Sequence, residues 1–432
     1  MFSTEVAIII LLGVFAVLMV LRVPITFSIM IASFTCAFYM GLSPMSVVLN
    51  MVQGLRNFSL LAIPFFILMG EIMSTGGISD RIMGMANAII GRVRGGLALV
   101  NVIASKLFSG MSGSAVADAS TSGTILIPMM KKQGYDDGFS VATTVSSASI
   151  TILIPPSHNM VIYSVIAGAG VSVADLFLAG IIPGFMLGTM LLILVFILSQ
   201  IRKYPMSAHI PVRERLKAIL HGVPPLLTVV IIVCGISFGF FTPTESAAIA
   251  CLYAFLLTFV VYRKIPLKTM YPIMLRTLRT LAMVLCLIAS ASAFGNLMTR
   301  LQVPLMLTNA LLYVSDNMFV VFLLINLMLL ILGSVMDMSP MILIMTPILL
   351  PVVTSFGMSP VHFGVVLLFN LAIGLCTPPV GSVLFTGCAI GKVSVERASI
   401  SLLPMYLVMF IGLMLVTYIP MISMWLPGLV GR

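Results

Sequence analysis

Two of the pairs of consecutive prolines in this sequence match each other within apolar stretches, and they are where we expect unusual backbone chemistry. The pairs are Pro155-Pro156 and Pro378-Pro379. Proline lacks a backbone N–H and collides with the carbonyl four residues before it, so a pair breaks a helix and leaves carbonyls without partners. In apolar surroundings such carbonyls need protein, water or an ion as a partner. The matched pairs therefore predict an ion or substrate site; a packing kink is the alternative.

Two turns of small and polar residues also lie within apolar flanks. They are Ser109 to Ser114, with the sequence SGMSGS, and Gly333 to Asp337, with the sequence GSVMD. Glycine lets the backbone turn sharply and approach a ligand, while serine hydroxyls and free carbonyls are the hard oxygen ligands that sodium prefers. Helix N-termini at such turns can hold a carboxylate, and the carbonyl ends can hold a cation.

Ionisable and polar side chains adjoin these features. Asp118 and Asp337 lie beside the two turns, where a charge at membrane depth costs at least about 2.5 kcal/mol. We interpret them as tip-ordering or cation-binding groups, with a structural hydrogen bond or helix cap as the alternative. Ser157, His158 and Asn159 follow the first proline pair and predict solute contacts, although His158 is equally compatible with a satisfied interior histidine.

The composition places all these residues in a membrane protein. Of 432 residues 60% are hydrophobic and 8% are charged, whereas soluble domains carry about 25% charged residues. The net charge of +10 does not indicate nucleic-acid binding, because the basic residues form short clusters between apolar runs. The six cysteines lie in or beside apolar segments without metal-type spacing, so packing is their expected role.

A membrane span needs about 20 apolar residues, and we predict ten spans and two re-entrant hairpins. The hairpins are 96–130 and 318–352. The spans are 4–21, 23–40, 59–75, 138–169, 175–199, 217–238, 244–262, 280–300, 360–390 and 395–425. Cytoplasmic loops should hold the Lys and Arg residues. If both termini lie outside, every Lys and Arg residue falls in a cytoplasmic segment except Arg56, Lys106, Arg300 and Arg432.

The chain is predicted to be an internal duplication. Pro128 and Pro351, Gly134 and Gly357, and the two proline pairs all show one separation of 223 positions. Five spans in each half would turn the second copy upside down, an inverted repeat with ligand sites near the midplane. We place the repeats at 1–215 and 216–432, with the broken helices at 138–169 and 360–390. Segments 44–58 and 266–279 are predicted to be interfacial arms.

Several motifs together resemble the large M subunit of TRAP (tripartite ATP-independent periplasmic) transporters. They extend over nearly the whole chain: LLAIPFF at 60–66, GEIM at 70–73, SGSAVAD at 112–118, IPPS at 154–157 and FTPTE at 241–245. The resemblance implies an all-α, elevator-type, sodium-coupled importer, not an enzyme, in a bacterial inner membrane with both termini periplasmic. It also implies a separate small four-helix membrane subunit, a periplasmic solute-binding protein and no cofactor besides the coupling sodium ions.

The family's cation sites combine the hairpin tips with the broken spans, which here adds Thr377 and Gly381. The full set of expected sodium positions is Gly110, Ser112, Gly113, Ser114, Asp118, Pro155, Pro156, Gly333, Asp337, Thr377, Pro378 and Gly381. The expected substrate positions are Ser112, Ser157, His158, Asn159 and Thr377. Family solutes are C4-dicarboxylates, sialic acids and other sugar or keto acids.

Other functions agree less well with the pattern. A stand-alone sodium-coupled carboxylate symporter would share most of these features, and an ion channel would also use broken helices and carbonyls. An intramembrane protease is disfavoured, because neither Asp118 nor Asp337 lies in a G-x-G-D motif. ATP-driven transport is disfavoured because the sequence contains no G-x-x-x-x-G-K-[ST] loop.

Overall fold

The computed structural model describes residues 3–90, 92–168, 170–206, 211–315 and 317–430, except for the side chains of Ser112, Leu311, Leu312 and Val314. Regular structure in these ranges is helical, apart from an isolated bridge between Arg94 and Met206. The helices of the first half are α1 (Thr4–Val20), α2 (Ile25–Tyr39), α3 (Pro44–Gly54), α4 (Ala62–Thr75), α5 (Ile78–Ile90), α6 (Gly96–Ser112), α7 (Ala115–Lys132), α8 (Asp137–Ala148), α9 (Ile150–Leu153), α10 (His158–Ala167) and α11 (Val173–Ile201).

The second half continues in the same way. Its helices are α12 (Val212–Ser237), α13 (Pro243–Phe255), α14 (Met270–Arg300), α15 (Val303–Val314), α16 (Met318–Val335), α17 (Met338–Ser355), α18 (Pro360–Gly374), α19 (Ser382–Gly391), α20 (Val395–Tyr418) and α21 (Met421–Leu429). Short 3-10 helices lie at Phe58–Leu61 and Leu267–Thr269, and α13 continues into a π-helix at Leu256–Tyr262. The prediction of an all-α polytopic membrane protein is confirmed.

The number of helices long enough to span a membrane differs from the predicted ten. By length and composition, the described part of the chain has eight such helices, or nine if one bent pair counts as a single span. Helices α1 and α2 have only 17 and 15 residues, whereas both arms of the second hairpin, α16 and α17, have 18. At 1.5 Å per residue an 18-residue arm reaches about 27 Å, close to the thickness of the hydrocarbon core, so length alone does not distinguish a hairpin arm from a span.

One succession of elements occurs twice along the chain. A helical hairpin, a broken helix and a long helix are formed by α6 to α11, and again by α16 to α20. The first broken helix bends by 47° between Asp137–Leu153 and His158–Ala167. Both proline pairs lie in the breaks, and both Pro–Pro bonds are cis. The inversion of the second copy and the boundary between 215 and 216 stay predictions.

The two predicted interfacial arms have different structures. The first is a separate helix, α3, but the segment 266–279 runs into the 31-residue helix α14. Arg276 in this helix forms an ion pair with Glu71 of α4, with 3.1 Å between Nε and Oε2. Most of the segment 266–279 therefore belongs to one continuous helix with the span predicted at 280–300.

Candidate solute and ion site

The two hairpin tips and the two broken helices meet around a cavity of about 70 Å³. Its wall combines the first residues of α7, α10 and α17 with one residue each from α9 and the end of α18. The lining residues are Ser114, Ala115, Val116, Ile152, His158, Asn159, Asp337, Met338, Ser339 and Leu375. Residues more than 200 positions apart in the sequence thus form one site.

Three helix N-termini converge on this cavity. Helices α7, α10 and α17 begin at Ala115, His158 and Met338, and all three starts belong to the wall or directly adjoin it. The first N–H groups of a helix have no partner inside the helix, and the helix dipole places about half a positive charge there. Such ends bind anions such as carboxylates, so the geometry of the cavity suits an acid.

The first tip lies directly against the first break. Gly113 ends α6 with a positive φ of 59°, and a Cβ atom built there would lie 2.9 Å from the carbonyl oxygen of Pro156 and 3.2 Å from the Cα of Ser157. Glycine is required here for both reasons, because a side chain would be strained and would collide with the break. The predicted tip residue Gly113 is therefore in contact with the predicted break residues.

The polar side chains of the first break differ in their hydrogen-bond partners. The hydroxyl of Ser157 is buried without a hydrogen-bond partner among the described residues, which suits a ligand atom. Asn159 is 4% exposed, and its Oδ1 accepts a hydrogen bond from Ser339 of α17 at 3.3 Å. This bond joins the first break to the second tip. His158 lines the cavity together with Asp337.

The second tip and the second break are also joined. The backbone N–H of Val380 donates to the carbonyl of Ser334 at 2.9 Å. A Cβ on Gly374 would lie 2.7 Å from the carbonyl carbon of Gly333. The hydroxyl of Ser382, at the start of α19, lies 3.3 Å from Oδ1 of Asp337, the residue preceding α17. The second tip thus reaches the helix after the break as well as the break itself.

The two breaks differ in burial and in how closely the backbone packs on itself. Pro155 and Pro156 are buried, whereas Pro378 is exposed. The hydroxyl of Thr377 donates to the carbonyl of Ile373 at 2.8 Å. A Cβ on Gly381 would lie 2.7 Å from the carbonyl oxygen of Thr377, so the second break is folded tightly on itself.

Asp118 lies deeper than the tip it follows. The side chain is 1% exposed, and Thr151 of α9 donates to its Oδ2 at 3.0 Å. The hydroxyl of Ser122 lies 2.6 Å from the backbone carbonyl of Asp118 and 3.3 Å from its Oδ1. These contacts match the alternative of a structural hydrogen bond more closely than a position at the cavity wall.

Other predicted residues are placed elsewhere. Gly110 faces Val229 of α12, which a Cβ would meet, so it packs the hairpin against that helix rather than facing the break. The side chain of Ser112 is outside the described residues. The sequence interpretation missed Val116, Ile152, Ser339 and Leu375, which line the cavity. Ser339 alone carried a signal, a polar residue in the first turn of the helix after a predicted tip.

A row of glycines on α11 holds the first break in place. Positions 180, 184 and 188 repeat every four residues, which puts them on one face. A Cβ would meet the carbonyl of Leu153 at the first, Ile154 at the second and the Lys106 side chain at the third. The Nζ of Lys106 donates to Thr189 at 3.0 Å. The close approach of α11 fixes the backbone on which the site is built.

Comparison with known proteins identifies the family. Residues 12–422 match the family model described as "Tripartite ATP-independent periplasmic transporter, DctM component". This chain belongs to the TRAP transporter large permease family. Members of this family are permease subunits in the bacterial inner membrane, as the chain's apolar helices require.

Three relatives of this TRAP permease match over most of its length. It is 43% identical to the uncharacterized protein YgiK of Salmonella typhimurium, covering 98% of this chain and 97% of that one. It is 40% identical to the sialic acid TRAP transporter large permease protein SiaM of Vibrio cholerae, with 88% of each chain covered. It is 36% identical to the C4-dicarboxylate TRAP transporter large permease protein DctM of Pseudomonas aeruginosa, with 89% and 90% covered.

A solved structure shares the fold of this TRAP permease. The Alcanivorax borkumensis YdaH transporter superposes with a TM-score of 0.60 at 14% identity, covering 85% of this chain and 86% of that one. At that identity the likeness concerns the fold alone.

Proposed function

We propose that this TRAP permease imports a small carboxylate together with sodium ions, and that the solute binds at the cavity between the hairpin tips. The solute would be a C4-dicarboxylate, a sialic acid or another sugar or keto acid. A periplasmic binding protein would deliver it, and a separate small membrane subunit would complete the transporter. The observation that carries the proposal is the meeting of three helix N-termini at one cavity. The unpartnered hydroxyl of Ser157 directly precedes one of them, α10.

The donor set suits both an acid and a hard cation. Helix N-termini favour a carboxylate, while hydroxyl and carboxylate oxygens such as those of Ser157 and Asp337 are ligands that sodium accepts. The relatives named for sialic acid and C4-dicarboxylate support an acid as the solute. Each positive charge moved inward across 100 mV yields about 2.3 kcal/mol, so sodium entry supplies a driving force.

The cavity must widen to bind such a solute. Sites for small molecules have volumes of about 300–1,000 Å³, whereas this one has about 70 Å³, space for a few waters or an ion. We therefore expect the hairpin tips to separate as the solute enters. Because the Asn159–Ser339 bond joins a break to the opposite tip, it would have to break during this opening.

Uptake into proteoliposomes tests the proposal. The chain is reconstituted with its small subunit and binding protein, and radiolabelled carboxylates are offered with and without an inward sodium gradient. Sodium-dependent uptake of one acid, abolished by Ser157→Ala together with Asn159→Ala but kept by Ser401→Ala on distant α20, is the expected result. Ion current without solute uptake would contradict the proposal and favour a channel.

A further inference from the structure

A second cavity lies farther from the hairpin tips, and its volume is about 290 Å³. It is a crevice between the segment around the end of α3, the C-terminal part of α14 and the two helices α10 and α17. Its polar lining residues are Gln53, Asn57, Ser292, Asn296 and Thr299. This volume is at the lower end of that of small-molecule sites, and about four times that of the cavity between the tips.

The walls of the crevice have opposite chemistry. All five polar side chains come from the α3 segment and α14, while α10 and α17 contribute Val165, Ile166, Leu343 and Pro347. No carboxylate or cationic side chain is among its described lining residues. A ligand bound in the crevice would direct its hydrogen-bond acceptors toward the α3 segment and α14. Its hydrocarbon part would lie against α10 and α17.

Amide donors on the polar wall remain available. The Oδ1 of Asn57 accepts from the N–H of Ser59 at 3.0 Å, and the Oδ1 of Asn296 accepts from Nε of Arg300 at 3.0 Å. These bonds occupy the acceptor side of each carboxamide and orient it, so that the two N–H donors of each Nδ2 atom are left for a ligand. Donors without carboxylates nearby favour an anion over a cation.

Two helices run from the cavity between the tips to the crevice. Helices α10 and α17, which form its apolar wall, begin at the cavity between the tips with His158 and Met338. Val165 and Leu343 lie farther along them by about 10 Å and 7 Å, from the helical rise of 1.5 Å per residue. A small acid could therefore occupy one position and then the other, but would not fill both at once.

The crevice is not a general consequence of the duplicated sequence. GEIMS at 70–74 resembles GNLMT at 295–299, and the space that adjoins Gly70 and Ser74 has only about 10 Å³. The counterpart of Asn296 there is Glu71, which is paired with Arg276. Of these two spaces, the crevice beside α14 is the one that combines room for a solute with available donors.

We propose that this crevice is a preliminary binding position for the carboxylate solute, which meets the amide donors of Asn57 and Asn296 before it reaches the hairpin tips. The inference rests on the proposed function. It assigns recognition to the α3 segment and α14, away from the two tips. In the orientation that the Lys and Arg distribution predicts, this end of α14 faces the periplasm, the side from which the solute arrives.

Cysteine protection tests the crevice directly. Asn296→Cys is reacted with a maleimide in the complete transporter in nanodiscs, and mass spectrometry separates this position from the exposed native Cys234 and Cys286. We expect saturating amounts of a transported acid to slow labelling about tenfold, whereas Arg279→Cys, on the same helix outside the crevice, should be unaffected. Protection by anionic lipid alone would overturn the proposal in favour of a lipid site.

A second variant separates ligand contact from closure of the protein. Asn296→Leu keeps the volume but removes the donors, so the solute concentration for half-maximal uptake should rise about tenfold, as for the loss of one hydrogen bond to a charged group. An unchanged value in this variant would overturn the inference even if labelling were slowed. If the unmodified transporter carries no acid at all, the proposed function itself fails, which is a distinct result.

Discussion

Replacing Asp118 distinguishes a structural hydrogen-bonding acid from a cation ligand. The hydroxyl of Ser122 has a single hydrogen, and its shorter contact, 2.6 Å to the backbone carbonyl of Asp118, takes it. The 3.3 Å contact of that hydroxyl with Oδ1 of Asp118 is a weaker, shared contact of the same donor. None of the ion pairs in the described residues involves Asp118. We therefore expect the Asp118 carboxyl group to serve mainly as a structural acceptor for Thr151.

The two substitutions should differ in size of effect. Asp118→Asn keeps an acceptor for Thr151 and nearly the same side-chain shape, so it should cost less than about 1 kcal/mol. Asp118→Ala removes both and leaves the Thr151 hydroxyl without an acceptor, at about 1–3 kcal/mol, with a further term for the small void. We expect a loss of about 2–4 kcal/mol for the alanine variant.

A thiol-reactive fluorogenic dye measures this ranking. The buried cysteines Cys36, Cys251, Cys376 and Cys388 become reactive as the purified protein unfolds on heating. The asparagine variant should unfold near the unmodified protein, and the alanine variant at clearly lower temperature. The reasoning is refuted if both variants are equally destabilised. It is also refuted if Asp118→Asn stays stable but its uptake no longer depends on sodium, because the acid would then be a charged cation ligand.

Three further changes test the tips and the surface. Gly113→Ala should abolish uptake, because its Cβ would lie 2.9 Å from the carbonyl oxygen of Pro156 in the first break. The control is Gly134→Ala, which also has a positive φ but open space around it and should retain uptake. Asp337→Asn should make uptake less dependent on sodium, measured as initial rate against sodium concentration; an unchanged curve would exclude Asp337 from cation binding. Desolvation acts to raise the pKa of Asp136, but bonds from a backbone N–H and from Arg397 lower it below the usual 3.8. The thermal stability of the unmodified protein should therefore exceed that of Asp136→Asn at neutral pH, and the difference should shrink as the pH falls below about 3.8; a constant difference would contradict this.

The sequence predicted the parts of the site that depend on local backbone chemistry. A double proline disfavours a helix, so a break after Ile154 could be predicted without tertiary information. The pair alone does not decide, because Pro224 and Pro225 lie inside the continuous helix α12. The residues that follow it, His158 and Asn159, line the cavity with Asp337 of the second tip. These residues all lie where a helix stops or starts, and the neighbouring residues in the sequence are enough to predict that.

The remainder depends on how distant helices pack. Leu375 and Ile152 are apolar residues in apolar helices, and only their approach to the opposite tips makes them part of the wall. Asn296 was recognised as a repeat counterpart of Glu71, yet nothing local showed that one faces a crevice and the other an arginine. The segment 266–279 is continuous with the following span because no glycine or proline interrupts α14 between Met274 and Phe294, and its role as an interfacial arm stays a prediction.

The proposed entry of solute and cation together is consistent with the charges at the cavity. A monocarboxylate beside Asp337 would place two negative charges in surroundings of low dielectric constant, where their repulsion is large. The three helix N-termini supply about half a positive charge each, which leaves part of the negative charge uncompensated even with ideal geometry. One bound sodium ion reverses this balance, so the acid should bind weakly without sodium and tightly with it. A dicarboxylate adds a further negative charge and should therefore require more sodium than a monocarboxylate at the same site.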